Sequence, residues 1–192
     1  MKLYSAYTLI ELIITTSILI IIVGISIPQL IIDENLLLER ELGRIYTTAF
    51  YLRQRAISTN SQQELFLNPE KQLFYYYENN KKYLFNLHKL TQFGFLKGSK
   101  GPPSNPAMLI KSAITFDSST GSRKISFYPD GTSNAGTIYL INAKQTKMGA
   151  LTCGVSQVFY GRRYLYKKSI WHPIGHHDDE KKIASISYNP AL

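Results

Sequence analysis

The sequence predicts an α+β protein in which a long, partly transmembrane N-terminal helix packs on a C-terminal antiparallel β-sandwich-like head. Three observations support this class. The stretch from Leu12 to Ile32 contains 21 residues without a charge. Apolar residues then recur at helical spacing. After Ser58 the chain changes to short runs rich in Tyr, Phe, Ile and Thr that are separated by turn residues, the pattern of a sheet.

The charge-free run is long enough to cross a membrane, because a helix rises about 1.5 Å per residue and the hydrocarbon layer is roughly 30 Å thick. It is too long for the core of a cleaved secretory signal, so we expect the mature protein to keep it. Lys2 precedes the run and Asp33 and Glu34 follow it. The positive-inside tendency therefore favours a cytoplasmic N-terminus and an outer location for the rest.

Glu11 is a carboxylate at the start of this run, where burial costs about 2.5 to 3.5 kcal/mol unless the charge is paired. The residues around it read Ala6-Tyr7-Thr8-Leu9-Ile10-Glu11 and follow a short leader that contains one lysine. This arrangement resembles the class III signal of type IV prepilins and secretion pseudopilins. The resemblance implies that a prepilin peptidase removes residues 1–6 by cutting after Ala6 and that the new amino terminus, on Tyr7, is methylated.

The same resemblance implies roles for three further positions. A methylated amine keeps its positive charge, and in the family the equivalent of Glu11 pairs with that amine on a neighbouring subunit during assembly. Gly24 and Pro28 fall where pilins place a helix kink. The implied location is the cell inner membrane, single-pass, with a periplasmic C-terminal domain and later a filament. The implied partners are other pilin or pseudopilin subunits, the peptidase, an inner-membrane assembly platform and membrane lipid.

A second stretch of helix is predicted from apolar residues spaced alternately by four and three. They are Leu38, Leu42, Ile45, Ala49, Leu52 and Ala56. The simplest interpretation is one continuous helix from about Thr8 to about Ser58, with residues 7–32 in the membrane or filament core and residues 33–58 amphipathic against the head.

The head is expected to occupy residues 59–166, and Gly98 to Pro106 is expected to be a loop because it contains three prolines and two glycines. The predicted strands are Glu64 to Leu67, Gln72 to Tyr77, Lys82 to Leu87, Ala113 to Phe116, Lys124 to Tyr128, Thr137 to Ile141, Leu151 to Val155 and Val158 to Tyr166.

One segment of the head, Ile125 to Leu140, is similar to the hairpin of the GspH/FimT branch of pseudopilins. It contains Pro129-Asp130-Gly131 between two alternating runs, and Asp-Gly supplies the positive φ of a tight turn. With the leader and the long helix, the resemblance covers residues 1 to about 166. It implies a minor pilin or pseudopilin, a structural subunit of a type II secretion pseudopilus or of a type IV pilus.

The distribution of charge along the sequence suggests an alternative function. The net charge is +9, and residues 97–192 carry 13 basic and 5 acidic side chains, which favours an anionic partner. Arg162, Arg163, Lys167 and Lys168 alternate with aromatic residues, as in proteins that bind single strands. The alternative function is therefore a DNA-binding minor pilin for DNA uptake. Adjacent strand residues face opposite ways, however, and a solvated basic sheet edge gives the same pattern.

Residues 167–192 form a basic, histidine-containing tail in this interpretation. His172, His176 and His177 precede three consecutive carboxylates, so a membrane-tethered metal-binding module is a further alternative, although a disordered polar tail has the same composition. Cys153 is the single cysteine of the sequence, so it cannot form an intrachain disulfide. A membrane-bound enzyme built around Cys153 is conceivable, but a thiol in an apolar strand is more often a buried filler. We expect no cofactor and no enzymatic activity.

Overall fold

The computed structural model describes residues 8–26, 34–101, 105–116, 123–154 and 161–174. The chain divides into two compact units, residues 1–33 and residues 34–192. The first contains helix α1, Leu9–Ser26, and the second contains helix α2, Glu34–Thr59, and all the strands. No helix within the described ranges is both long enough and apolar enough to cross a membrane. Residues 27–33 lie outside those ranges, so the continuous helix remains a prediction.

Helix α2 confirms the predicted amphipathic helix and its apolar stripe, since all six stripe residues are fully buried. The helix ends in a Schellman motif. Asn60 adopts a left-handed φ of 49°, and the Asn60 and Ser61 N–H groups donate to the carbonyls of Ile57 and Ala56 at 3.4 and 3.2 Å. This cap satisfies carbonyls at the end of the helix and turns the chain into the first strand.

Within the described residues, nine strands form two antiparallel sheets. The first sheet has the order β3-β2-β1-β5, and the second has the order β4-β6-β7-β8-β9. The strands are β1 Gln63–Asn68, β2 Leu73–Glu78, β3 Lys81–Asn86, β4 Thr91–Phe93, β5 Lys124–Phe127, β6 Gly136–Asn142, β7 Met148–Cys153, β8 Arg162–Lys167 and β9 Ile170–Ile174. The α+β class and the antiparallel sheets are therefore confirmed.

Two predicted features of the sheets were wrong. Ala113 to Phe116 makes a single bridge, from Ile114 to Ile138, instead of a strand, because the Thr115 hydroxyl accepts the Thr137 N–H at 2.8 Å in place of a backbone carbonyl. The predicted hairpin does turn at Gly131, with φ 81°. Its two strands do not pair with each other, however: β5 joins β1 in the first sheet and β6 joins β4 and β7 in the second.

Two strands were not predicted. Strand β4 has three residues, too few to show a periodicity. Strand β9 pairs with β8 and contains Pro173, which a sheet tolerates at an edge. Since β9 ends at Ile174, the second sheet continues past the expected boundary at residue 166.

The main core lies between α2 and both sheets. It joins the helix stripe to Leu65 and Phe74 of the first sheet and to Ile138, Leu140 and Leu151 of the second. The helix approaches the second sheet closely at Gly149, where a Cβ would lie 2.7 Å from Leu42 Cδ1. A smaller core on the other face of the second sheet consists of Ile110, Tyr139, Ile141, Met148 and Ala150, with Phe95, Leu96, Tyr166 and Trp171 packed against it.

The start of α2 is tied to the turn between β6 and β7. Glu34 forms an ion pair with Lys144 at 2.9 Å and accepts a hydrogen bond from the Asn142 amide. These contacts hold the pKa of Glu34 below its usual value, the bond with Lys144 having the largest effect. Asn142 is buried, and its Oδ1 accepts the N–H groups of Thr146 and Lys147, each at 2.8 Å. One asparagine therefore shapes this turn and contacts the first residue of the helix.

We predict that Asn142→Ala lowers the free energy of unfolding by about 2 kcal/mol, because two backbone N–H groups lose their acceptor. Urea denaturation followed by circular dichroism measures this change. Lys144→Ala is the matched control, since its side chain is 77% exposed and exposed ion pairs contribute about 1 kcal/mol or less. Equal losses for the two variants would contradict the assignment.

Candidate functional site

Glu11 lies in the first turn of α1, and Thr8 caps that turn. The Glu11 N–H donates to the Thr8 hydroxyl at 3.3 Å. Thr8 is thus the N-cap residue and Glu11 the third helical residue, the spacing of a capping box. A carboxylate here also interacts favourably with the helix dipole. This role of Glu11 was not predicted, although the Thr-x-x-Glu pattern before an apolar run indicates it.

The described side chains of α1 after Glu11 are apolar apart from three consecutive hydroxyl residues, and they are exposed. Leu12 is 59% exposed and Ile20 is 72% exposed. The hydroxyls of Thr15, Thr16 and Ser17 donate to carbonyls of the preceding turn at 2.7 to 3.1 Å. Thr15, Thr16 and Ser17 therefore satisfy their own hydroxyl donors within the helix, and the described part of α1 presents an apolar surface.

The remaining predicted N-terminal positions are only partly placed. Gly24 lies within α1. Ala6, Tyr7 and Pro28 lie outside the described residues, so cleavage, methylation and the kink at Pro28 remain predictions.

The β8–β9 hairpin separates the predicted basic and aromatic residues onto opposite faces. Leu165 of β8 is buried in the core beneath α2, and strand alternation places Arg163 and Lys167 on that same side. Tyr166 packs on the other side, against the smaller core, and Arg162 shares that side by alternation. The sequence argument that Arg162 and Arg163 face opposite ways agrees with this geometry, and the four predicted cations do not form one surface.

Arg163 packs against α2. Its guanidinium carbon lies 5.4 Å from the centre of the Tyr46 ring. A Cβ at Gly43 would lie 3.3 Å from Arg163 Nη1, so the absence of a side chain at Gly43 leaves room for this contact. Arg163 therefore takes part in the packing of the helix on β8, and a cation over an aromatic ring contributes about 0.5 to 1 kcal/mol at exposed sites.

Lys167 and Lys168 are exposed at the end of the hairpin. Lys168 and Ser169 form its two-residue turn, with φ values of 50° and 63°. This is the type I′ geometry, which Asn-Gly adopts more readily than Lys-Ser. Arg163 and this turn stand at opposite ends of β8, which further separates the predicted cations.

The histidines do not form a metal site within the part of the chain that the structure describes. His172 lies on β9 opposite Leu165 and is exposed. No group of three or more His, Cys, Asp or Glu side chains in the described ranges is placed to hold a metal ion. His176 and His177 lie outside those ranges.

Cys153 lies at the end of β7 and belongs to the main core. Burial raises the pKa of its thiol to about 12. A thiol acts as a nucleophile through its thiolate, so this position is chemically unsuited to nucleophilic catalysis at neutral pH.

No protein-family model and no curated protein matches the sequence. Among solved structures, the chain is similar to the minor pseudopilin EpsH from the type 2 secretion system of Vibrio cholerae. The TM-score is 0.44 and the sequence identity is 8%. The match covers 65% of this chain and 96% of the EpsH chain.

We predict that Arg163→Ala lowers the free energy of unfolding by about 1 kcal/mol, because it removes both the ring contact and the packing of the arginine stem. Lys167→Ala, on the same face of the same strand, should change it by less than about 0.5 kcal/mol. Thermal or urea unfolding measures both variants. A larger loss for Lys167→Ala would contradict the packing role of Arg163.

We also predict that Cys153 resists alkylation in the folded protein. With a pKa of about 12, the thiolate fraction at pH 8 is about one part in ten thousand. Iodoacetamide at pH 8 should therefore leave the native protein unmodified and should alkylate it in 6 M guanidinium, as mass spectrometry would show. Rapid alkylation of the native protein would refute a buried, protonated thiol.

Proposed function

We propose that this protein is a minor pilin or pseudopilin of the GspH/FimT type, a structural subunit of a type II secretion pseudopilus or a type IV pilus. A prepilin peptidase removes residues 1–6, the new amino terminus on Tyr7 is methylated, and an assembly platform transfers the subunit from the inner membrane into a filament. Other pilin subunits are its partners, and the function is assembly rather than catalysis.

The observation that carries this proposal is the combination of one carboxylate with an apolar helix surface. The hydroxyls of Thr15, Thr16 and Ser17 are bonded to the backbone of α1, so transfer of this part of the helix into an apolar environment leaves none of the three unsatisfied. Glu11 is the one ionisable side chain of α1. An apolar environment would be costly for its carboxylate without a cation, and the methylated amine of a neighbouring subunit supplies one.

The inner-membrane location is part of the proposal. The described helix has 18 residues, and the charge-free sequence continues from there to Ile32. The apolar segment of the sequence therefore has the length that a bilayer requires. In the filament, the same apolar surface would pack against equivalent helices.

The unit that contains α2 and the two sheets also supports the proposal. Among the described residues, its two core clusters consist only of side chains from residues 34–174. A subunit whose head folds on its own core can keep that fold while its N-terminal helix exchanges lipid for protein neighbours.

We predict that Glu11→Gln blocks incorporation into filaments and leaves the helix intact. Glutamine preserves the capping box but carries no charge, so it separates the capping role of Glu11 from its proposed pairing with an amine. In the native host, the amount of the variant in sheared filaments should fall at least tenfold. Circular dichroism of the full chain in detergent should be unchanged.

Thr8→Ala is the complementary control, because it weakens the helix start by about 1 kcal/mol while keeping the carboxylate. It should be incorporated better than Glu11→Gln. Mass spectrometry of the mature protein tests the processing step, with an N-methylated Tyr7 as the expected first residue. A mature chain that still begins at Met1, or normal incorporation of Glu11→Gln, would refute the proposed assembly mechanism.

A further inference from the structure

One end of the second sheet carries a cluster of lysines. The β6–β7 turn and the β8–β9 turn lie side by side there, because β7 starts and β8 ends at the same level, with Met148 opposite Tyr166. The start of β4 joins them, since the Ala143 N–H donates to the Leu90 carbonyl at 2.9 Å. We call the surface formed by the lysines of these three segments the lysine end. They are Lys89, Lys144, Lys147, Lys167 and Lys168.

The register of the strands brings two of these lysines together. Lys147 and Lys167 come one position beyond the pair of Met148 with Tyr166. They are therefore opposite each other on neighbouring strands, whose backbones are about 5 Å apart. The Lys147 carbonyl accepts the Asn142 N–H at 3.1 Å, which fixes the backbone at this position. Like charges opposite each other on paired strands are destabilising, so a bound anion would stabilise this arrangement.

The carboxylates at this end are fewer than the lysines. Glu34 is paired with Lys144 at 2.9 Å. Glu39 lies on the flank of α2 that faces β8, since it precedes by two turns the Tyr46 ring on which Arg163 packs. Glu39 forms no ion pair with another described residue. Five lysines and two carboxylates give this end of the described head a net charge of +3.

Aliphatic side chains are exposed beside the lysines. Ile170, which is opposite Lys167 at the β8–β9 turn, is 61% exposed. Leu90, next to Lys89, is 38% exposed. A surface that combines lysines with exposed aliphatic groups suits the boundary between headgroups and acyl chains, where the charges meet phosphates and the aliphatic groups leave water. A free anion would use only the lysines.

The lysine end lies where the chain enters the head. Glu34 is the first residue of α2 and contacts the β6–β7 turn through Lys144. The charge-free run of the sequence ends at Ile32, and two residues span at most about 7 Å. A bilayer that holds this run therefore brings its headgroups within reach of the lysine end.

We propose that the lysine end binds the headgroups of anionic phospholipids. The inference rests on the proposed membrane location. The lysines meet the phosphates, and Leu90 and Ile170 enter the layer beneath them. The head is thereby held on the bilayer surface until the subunit is transferred into a filament. Each lysine close to an anionic surface should strengthen this binding about fivefold.

The test is lysine footprinting of the full chain reconstituted in vesicles. Phosphatidylcholine vesicles are compared with vesicles that also contain 30 mol% phosphatidylglycerol, and an uncharged polyethylene glycol succinimidyl ester modifies the accessible amines. Peptide mass spectrometry should show that Lys144, Lys167 and Lys168 react at least fivefold more slowly in the anionic vesicles. Addition of 0.5 M NaCl should abolish this protection, because salt screens exposed charges.

Lys81 and Lys82 are the internal control in the same sample. They lie at the other end of the head, because Lys81 pairs with Glu78 and Glu78 forms an ion pair with Arg55. Arg55 is about 30 Å along α2 from Glu34. The reaction rates of the two control lysines should differ less than twofold between the two kinds of vesicle.

A double variant separates binding from mere nearness to the membrane. Lys167→Gln combined with Lys168→Gln removes two charges of the lysine end, so Lys144 should lose its protection in the anionic vesicles. Lys81→Gln combined with Lys82→Gln is the matched control, since it removes two exposed lysines at the other end. It should leave the protection of Lys144 unchanged. Circular dichroism must show that both variants are folded.

The inference is overturned if lysines at both ends are protected equally or if the first double variant keeps the protection of Lys144. Equal protection by inorganic phosphate or poly-L-glutamate in phosphatidylcholine vesicles would also overturn it, because the site would then bind any anion. A chain that floats with both kinds of vesicle while its lysines stay unprotected refutes the lysine end alone. A chain that floats with neither refutes the proposed membrane location, and this inference with it.

Discussion

The structure of the head depends on burying one helix stripe against two sheets at once. The six stripe residues of α2 are fully buried, and the core around them contains side chains from both sheets. One face of each sheet therefore packs against the helix. The second sheet covers its other face with the segment around Phe95, Leu96 and Ile110, whereas on the other face of the first sheet Tyr77 is 51% exposed.

Strand alternation decides how the charged and aromatic residues can act. In β8, Arg163 points toward the helix and Tyr166 points toward the smaller core. Cations and aromatic rings that follow one another along this strand therefore do not share one surface. On the first sheet Phe66 and Tyr75 come from neighbouring strands at matching register, and Lys82 of β3 places its Nζ 3.9 Å from the centre of the Tyr75 ring. A mixed surface therefore arises across strands rather than along one.

The sequence predicted α2, its stripe and most strands because apolar periodicity follows directly from burial on one side. It could not predict that β5 and β6 join different sheets, since the Asp130-Gly131 turn is compatible with either pairing. The three residues of β4 form a strand because they pair with β6, which is distant in the chain. Strand β9 is an edge strand that pairs only with β8 among the described residues. At the candidate site, the capping role of Thr8 was readable from the sequence. The stacking of Phe66 on Tyr75 was not, because it depends on the register between β1 and β2.

The contacts between Glu34 and the β6–β7 turn would direct a pull on the preceding chain into the second sheet. Tension on the chain before Glu34 reaches the first residue of α2, which Asn142 and Lys144 hold. These two residues connect to β6 and β7, inner strands of the second sheet. Such a pull would therefore act on strands that have hydrogen-bonded neighbours on both sides, and not on an edge strand, where ladder bonds can break one at a time.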